Sequence, residues 1–144
     1  MSDQGVGIVI VSHSCPLGRA VADLASQMLP GPETPPIEVA SGLDDTTLGT
    51  DATAVSAAIE KVGNCDGILV LVDIGSALLS AEMALDLLDA DIASKVKIST
   101  APLVEGAVVA AVMASTGAEL EVVAAEAEKA LDPKISHRST DRTD

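Results

Sequence analysis

The sequence predicts an α/β fold: an open, mainly parallel four-stranded sheet with helices on both faces. Short apolar runs rich in Val, Ile and Leu alternate with segments whose apolar residues recur at helical spacing. The segments between the runs are long enough to hold a helix, which parallel neighbours require. The clearest run, Gly67-Ile68-Leu69-Val70-Leu71-Val72, shows no inside–outside alternation, as a strand covered on both faces should not.

The elements follow in order. Gly7-Ile8-Val9-Ile10-Val11 reads as the first strand, closed by the polar loop Ser12-His13-Ser14-Cys15-Pro16. Leu17, Val21, Leu24, Ala25 and Met28 then share one helical face, and Pro30-Gly31-Pro32 ends that helix. Ile37-Glu38-Val39-Ala40 is a second, weaker strand, followed by a long loop with Gly42, Asp44, Asp45 and Gly49. Val55, Ala58, Ile59 and Val62 mark a second amphipathic helix, closed near Gly63-Asn64. After the run at 67–72, Asp73-Ile74-Gly75-Ser76 leads into a helix with Leu78, Ala81, Leu85 and Leu88 on one side. Val96-Lys97-Ile98-Ser99 is the fourth strand and Ala101-Pro102 a turn. From about Val104 to Ser115 the chain is apolar nearly all round, which implies a well-covered helix. Gly117 breaks it, and Leu120, Val123, Ala124, Ala127 and Leu131 give a last helix. One domain is expected over residues 1–132, with 133–144 a polar tail or linker, read as disordered.

Composition narrows the function. Of 144 residues 48% are apolar, yet Phe, Trp and Tyr are absent, so the core must be packed from Val, Ile, Leu, Met and Ala. The net charge of −14 excludes nucleic-acid binding, whose affinity comes from cations meeting phosphates. The absence of aromatic residues also removes any base-stacking platform. The acidity has two readings, a docking surface for a basic partner or solubility alone. The start Met1-Ser2-Asp3-Gln4 has no basic segment of a signal peptide, and the apolar stretch 106–118 is too short to span a bilayer. Cys15 and Cys65 lie in no spacing motif, as expected of reduced thiols in a cytoplasm.

In open parallel sheets, ligands gather beyond the carboxyl ends of the strands. Polar loops at such ends carry Ser12-His13-Ser14, Asp73-Ile74-Gly75-Ser76 and Ser99-Thr100. If the first and third strands are neighbours, His13 and Asp73 lie together. A carboxylate on one imidazole nitrogen fixes the tautomer and frees the other nitrogen as a nucleophile. Asp73 also has a plainer reading, as a cap of the helix that follows it. Gly75-Ser76 opens that helix, where free amides can bind phosphate and the Ser76 hydroxyl can donate or cap. Ser12 and Ser14 could position the histidine or its phosphate, or serve the turn. Ser99 and Thr100 have the same two readings.

Several phosphate chemistries are excluded. Arg19 is the only arginine before the tail, and no Arg-His-Gly triplet surrounds His13, so a histidine phosphatase fits poorly. Val21 stands where a cysteine phosphatase with Cys15 as nucleophile needs arginine. Neither a Gly-Lys-Ser/Thr loop nor a dinucleotide glycine fingerprint occurs, and no His/Cys cluster forms a metal site. No cofactor is expected on this chain. A histidine held by a carboxylate, with backbone donors and few cations, suits storage and onward transfer of a phosphoryl group rather than hydrolysis.

Five segments carry a resemblance: Gly7-Ile8-Val9-Ile10-Val11-Ser12-His13-Ser14, Gly42-Leu43-Asp44-Asp45, Gly49-Thr50-Asp51-Ala52, Val72-Asp73-Ile74-Gly75-Ser76-Ala77 and Ala101-Pro102-Leu103-Val104-Glu105-Gly106. Together they resemble the phosphoryl-carrier subunits of phosphoenolpyruvate-dependent dihydroxyacetone kinase, whose domain is related to the IIA domain of mannose-type sugar phosphotransferase systems. The resemblance implies a mannose-type IIA fold, phosphorylation of His13 and a hydrogen bond from its ring to Asp73. It implies the histidine phosphocarrier protein as donor, ADP held on the nucleotide-binding kinase subunit as acceptor, and a homodimer. Two other readings stand beside it, a IIA unit serving a mannose-type sugar permease and a regulatory module that turns over no phosphate.

Overall fold

A computed structural model describes residues 5–141, so Met1–Gln4, expected to be no signal segment, and the last three residues of the expected tail lie outside the described residues. Its sheet has four strands, β1 (Val6–Ser12), β2 (Ile37–Ser41), β3 (Gly67–Val72) and β4 (Val96–Ile98), in the order β2-β1-β3-β4. Every pairing is parallel. Helices α1 (Cys15–Gln27), α2 (Ala52–Lys61), α3 (Gly75–Leu85), α4 (Ala90–Ala93), α5 (Leu103–Ser115), α6 (Leu120–Glu128) and α7 (Asp132–Asp141) complete the fold. The open four-stranded α/β sheet expected from the sequence is the one found.

The period of the strands sorts the core into two layers. Val6, Ile8 and Ile10 of β1 and Leu69 and Leu71 of β3 pack under α1, α5 and α6. Val9, Val11, Ile68, Val70 and Val72 face the other way, onto α2 and α3. Alanines fill the helix side of both layers: Ala77, Ala81, Ala107, Ala110, Ala111 and Ala127 are fully buried. Small side chains let the helices approach the sheet closely, as a core without aromatic rings needs.

The helix faces differ from expectation in two places. Leu17, Leu24 and Met28 are 41%, 43% and 56% exposed; of the expected face α1 buries only Val21 and Ala25, together with Cys15 and Gly18. The cause is Gly18, where a Cβ would stand 2.5 Å from that of Ser41 on β2. A glycine lets the two backbones meet and rolls the leucines outward. Helix α3 likewise buries Ala77, Ala81 and Ala84, and ends before Leu88, which packs at the rim of the core with Leu78. The short α4, which no periodicity announced, carries the chain into β4.

The tail expected to be disordered from residue 133 is helical as far as Asp141. Asp132 and Pro133 occupy the first turn, where an acid suits the helix dipole and proline loses no hydrogen bond. Lys134 Nζ reaches Glu105 Oε2 of α5 at 2.5 Å, and this ion pair holds the Glu105 carboxyl below its usual range. Polar composition there reflects an exposed helix rather than an absent one. Among the described residues no helix is long and apolar enough to cross a membrane.

Gly18→Val should lower the unfolding free energy by about 1–3 kcal/mol through overpacking. The check is a lower urea midpoint at unchanged slope; an unaltered midpoint would mean that α1 lifts from β2 at no cost.

Candidate functional site

The register of the sheet builds the site. Val11 of β1 lies opposite Val72 of β3, and the Asp73 amide donates to the Val11 carbonyl at 3.1 Å. The two chains leave the sheet side by side, so Ser12 and His13 arrive next to Asp73. The connections from β1 and β3 diverge at this point of the strand order, which is where a crevice forms in an open parallel sheet.

Asp73 gathers the site. Its Oδ1 lies 2.9 Å from His13 Nδ1 and accepts from the Ile74 amide at 2.7 Å. Its Oδ2 accepts from the His13 amide and from the Ser12 hydroxyl, each at 2.9 Å. Burial pushes the Asp73 carboxyl up, but the His13 amide, the His13 ring, the Ile74 amide and the Ser12 hydroxyl outweigh it and hold the group below the usual carboxylate range. A carboxylate only accepts, so the proton between the two side chains sits on Nδ1 and the lone pair on Nε2. The side chains of His13 and Asp73 are 21% and 12% exposed, so the ring meets solvent more than its anchor does.

Nε2 points at the start of α3, where the Ser76 hydroxyl lies 2.5 Å away. The N-cap position of α3 is Ile74, and no side chain caps the helix. Asp73 is thus drawn to the histidine rather than to the helix start, and the capping role open to it from sequence is not the one it fills. The first amides of α3 stay available to an anion. A Cβ on Gly75 would meet nothing within 4 Å, so the approach to those amides is open.

The other expected residues take different places. The Ser12 side chain is fully buried, and its hydroxyl also accepts from the Ser14 amide at 3.1 Å, so it orients Asp73. Ser14 is the N-cap of α1, accepting from the Leu17 amide at 3.3 Å. Neither hydroxyl is aimed at Nε2. Ser99 Oγ accepts from the Ala101 amide at 3.0 Å, a turn role at the end of β4. Arg19 is 3.8 Å from Asp45 and largely exposed.

What the residue reading left without a role is the loop after β2. The Gly42 amide donates to the Ser12 carbonyl at 3.0 Å and the Gly49 amide to the His13 carbonyl at 2.8 Å. Asp44 folds the loop on itself: its carboxylate accepts from the Thr46 amide and from the amide and hydroxyl of Thr47, which holds the carboxyl below its usual range. Gly49 has φ +144°, and a Cβ there would meet the Leu43 side chain at 2.9 Å. The sole sequence signal for this loop is the spacing Gly42-Leu43-Asp44-Asp45 and Gly49-Thr50-Asp51-Ala52, which only a family resemblance picks out.

Comparison with known proteins agrees with the architecture. Residues 7–124 match the family described as the PTS system fructose IIA component. Over 131 residues, 90% of this chain, the sequence is 51% identical to the phosphoryl donor subunit DhaM of PEP-dependent dihydroxyacetone kinase from Klebsiella michiganensis. It is 50% identical over the same share to the corresponding subunit from Escherichia coli. The chain spans 28% of the length of each of these relatives. The phosphoryl donor subunit of PEP-dependent dihydroxyacetone kinase 2 from Listeria innocua is 38% identical, over 84% of this chain and 95% of its own. A crystal structure of a protein of unknown function superposes with a TM-score of 0.73 at 29% identity, over 87% of this chain and 94% of that one. The chain therefore belongs to the mannose-type IIA family, in company with phosphoryl donor subunits of dihydroxyacetone kinase.

Proposed function

We propose that this chain is a phosphotransferase-system phosphocarrier. His13 accepts a phosphoryl group from the histidine phosphocarrier protein and passes it to ADP bound on the nucleotide-binding subunit of dihydroxyacetone kinase. The observation that carries this reading is the His13–Asp73 pair at 2.9 Å, which leaves Nε2 as a nucleophile at the uncapped start of α3.

In the charging step Nε2 attacks the phosphorus of the donor's phosphohistidine. A new N–P bond forms as the donor's N–P bond breaks, and the donor imidazole leaves with the bonding pair. Asp73 stabilises the positive charge that grows on the His13 ring. In the discharging step a β-phosphate oxygen of ADP attacks the same phosphorus, giving ATP and returning the lone pair to Nε2. Gly75 and Ser76 supply donors to the phosphoryl oxygens; Ser12 and Ser14 act on the geometry of Asp73 and of α1. No metal is needed on this chain in either step. Phosphoryl transfer depends on positioning and on neutralising charge, so a partner that brings cations completes a site poor in them.

The acceptor is chosen on the relatives: those with high identity are named for dihydroxyacetone kinase rather than for a sugar permease. A homodimer and a cytoplasmic setting belong to the same reading. Exposed Leu79, Met83 and Leu87 on and just beyond α3 support the first, and two cysteines that form no disulfide support the second. Light scattering should return twice the mass of one chain; a monomer at micromolar concentration would remove the dimer.

The direct test is reconstitution with phosphoenolpyruvate, the first enzyme of the phosphotransferase system and its histidine carrier. Wild type should gain an acid-labile phosphoryl group, His13→Ala none, and Asp73→Asn should be charged about 10²-fold more slowly. Adding the ADP-loaded kinase subunit should discharge the wild type; discharge to a sugar-specific permease component instead would replace the acceptor. Asp73 also sets a pH dependence. Its lowered pKa means that its contribution to stability is complete above the unfolded value of about 3.9 and is lost as pH falls through the folded value. The gap in urea midpoint between wild type and Asp73→Asn should therefore hold steady at neutral pH and narrow only as pH falls below about 4; a gap that stays constant into acid would contradict the pairing.

A further inference from the structure

Two hydroxyls outside the reacting atoms tie the two sides of the His13 cleft together. Thr50 Oγ1 and Ser80 Oγ share a part-buried hydrogen bond of 2.5 Å. Thr50 follows Gly49, whose amide holds the His13 carbonyl at 2.8 Å. Ser80 lies one helical turn beyond Ser76, on the same face of α3, and Ser76 Oγ lies 2.5 Å from His13 Nε2. A closed circuit results: His13 main chain to Gly49, Thr50 to Ser80, Ser76 to the His13 ring.

From this circuit we infer that Thr50 and Ser80 are positioning residues that clasp α3 to the loop after β2 and so set the distance between Ser76 and His13 Nε2. The kinetic consequence rests on the phosphocarrier reading; the geometric one does not. The first turn of α3 has no side-chain cap, and open space surrounds Gly75, so it is the end of the helix with least of its own to hold it. A phosphoryl group on Nε2 has to enter where the Ser76 hydroxyl now stands. If the backbone of α3 is held at Ser80, that change falls on the Ser76 side chain, which turns aside and donates to the phosphoryl oxygens. Without the clasp the helix start moves as well, and a displacement of about 1 Å at a reacting centre costs up to about 10²-fold in rate.

Removing either hydroxyl leaves the other half-buried without its partner, which loosens the contact rather than replacing it. Thr50→Ser keeps the hydroxyl, whereas Thr50→Val keeps the shape and loses it. The measurement pairs ¹⁵N resonances of the His13 ring with single-turnover charging by the phosphorylated histidine carrier. Thr50→Val and Ser80→Ala should each move the Nε2 resonance toward that of Ser76→Ala and leave Nδ1, held by Asp73, in place. They should lower the maximal charging rate by about tenfold at an unchanged half-saturating donor concentration. Thr50→Ser should restore both readouts. An Nε2 resonance that stays at the wild-type position in both Thr50→Val and Ser80→Ala overturns the clasp, as does a Thr50→Ser variant no better than Thr50→Val. If the wild type is not charged at all, the carrier reading fails, and the clasp is then decided on the Nε2 resonance alone.

Discussion

The Asp73 carboxylate is the point on which the site is assembled. Four donors converge on its two oxygens, from the ring and the amide of His13, from Ser12 and from Ile74. The contacts with Ser12 and His13 run across the seam between β1 and β3, so the carboxylate fastens the outgoing chain of one strand to that of its neighbour. The same contacts choose the tautomer of the ring and take the acid away from the helix that follows it. Charge-assisted hydrogen bonds are the strong kind, and their number explains why a partly buried acid stays ionised here. Parallel pairing of β1 with β3 is the precondition, because it alone brings two carboxyl ends together at one edge of the molecule.

Much of this is legible in the residues. Strands buried on both faces declare themselves as unbroken apolar runs, and the polar loops after them mark the site. His13 and Asp73 follow from strand adjacency, a rule of topology rather than of local propensity. The rolled face of α1 was not legible. A leucine repeat outweighs one glycine in any count of apolar positions, yet Gly18 is what decides how the helix meets β2. α7 escaped for the opposite reason: periodicity detects helices that bury a stripe, and residues 132–138 of this one are all exposed. Thr50 and Ser80 lie 30 positions apart on different elements, and no spacing rule joins two hydroxyls that meet only through the fold.

On the phosphocarrier reading, the distribution of charge suits transfer rather than hydrolysis. Arg19 is turned to Asp45, and among the described residues no lysine is a hydrogen-bond partner of His13. Backbone amides at a helix start and a hydroxyl can orient a phosphoryl group without neutralising it strongly, which leaves it reactive toward the next nucleophile that docks. On the same reading, the acidic charge of the chain and its exposed Leu17, Leu43, Leu48 and Ile74 would suit a basic partner.

The missing cap of α3 links occupancy to order. A helix start without a side-chain acceptor is frayed relative to a capped one, by about 1 kcal/mol in ordinary helices. On the phosphocarrier reading, an anion seated on Nε2 would fill the role of the absent cap, and the empty protein would have a looser first turn than the loaded one. On that reading, load state would be written into stiffness as well as into charge. A partner that engages this turn would then distinguish a full carrier from a spent one before any bond is made or broken.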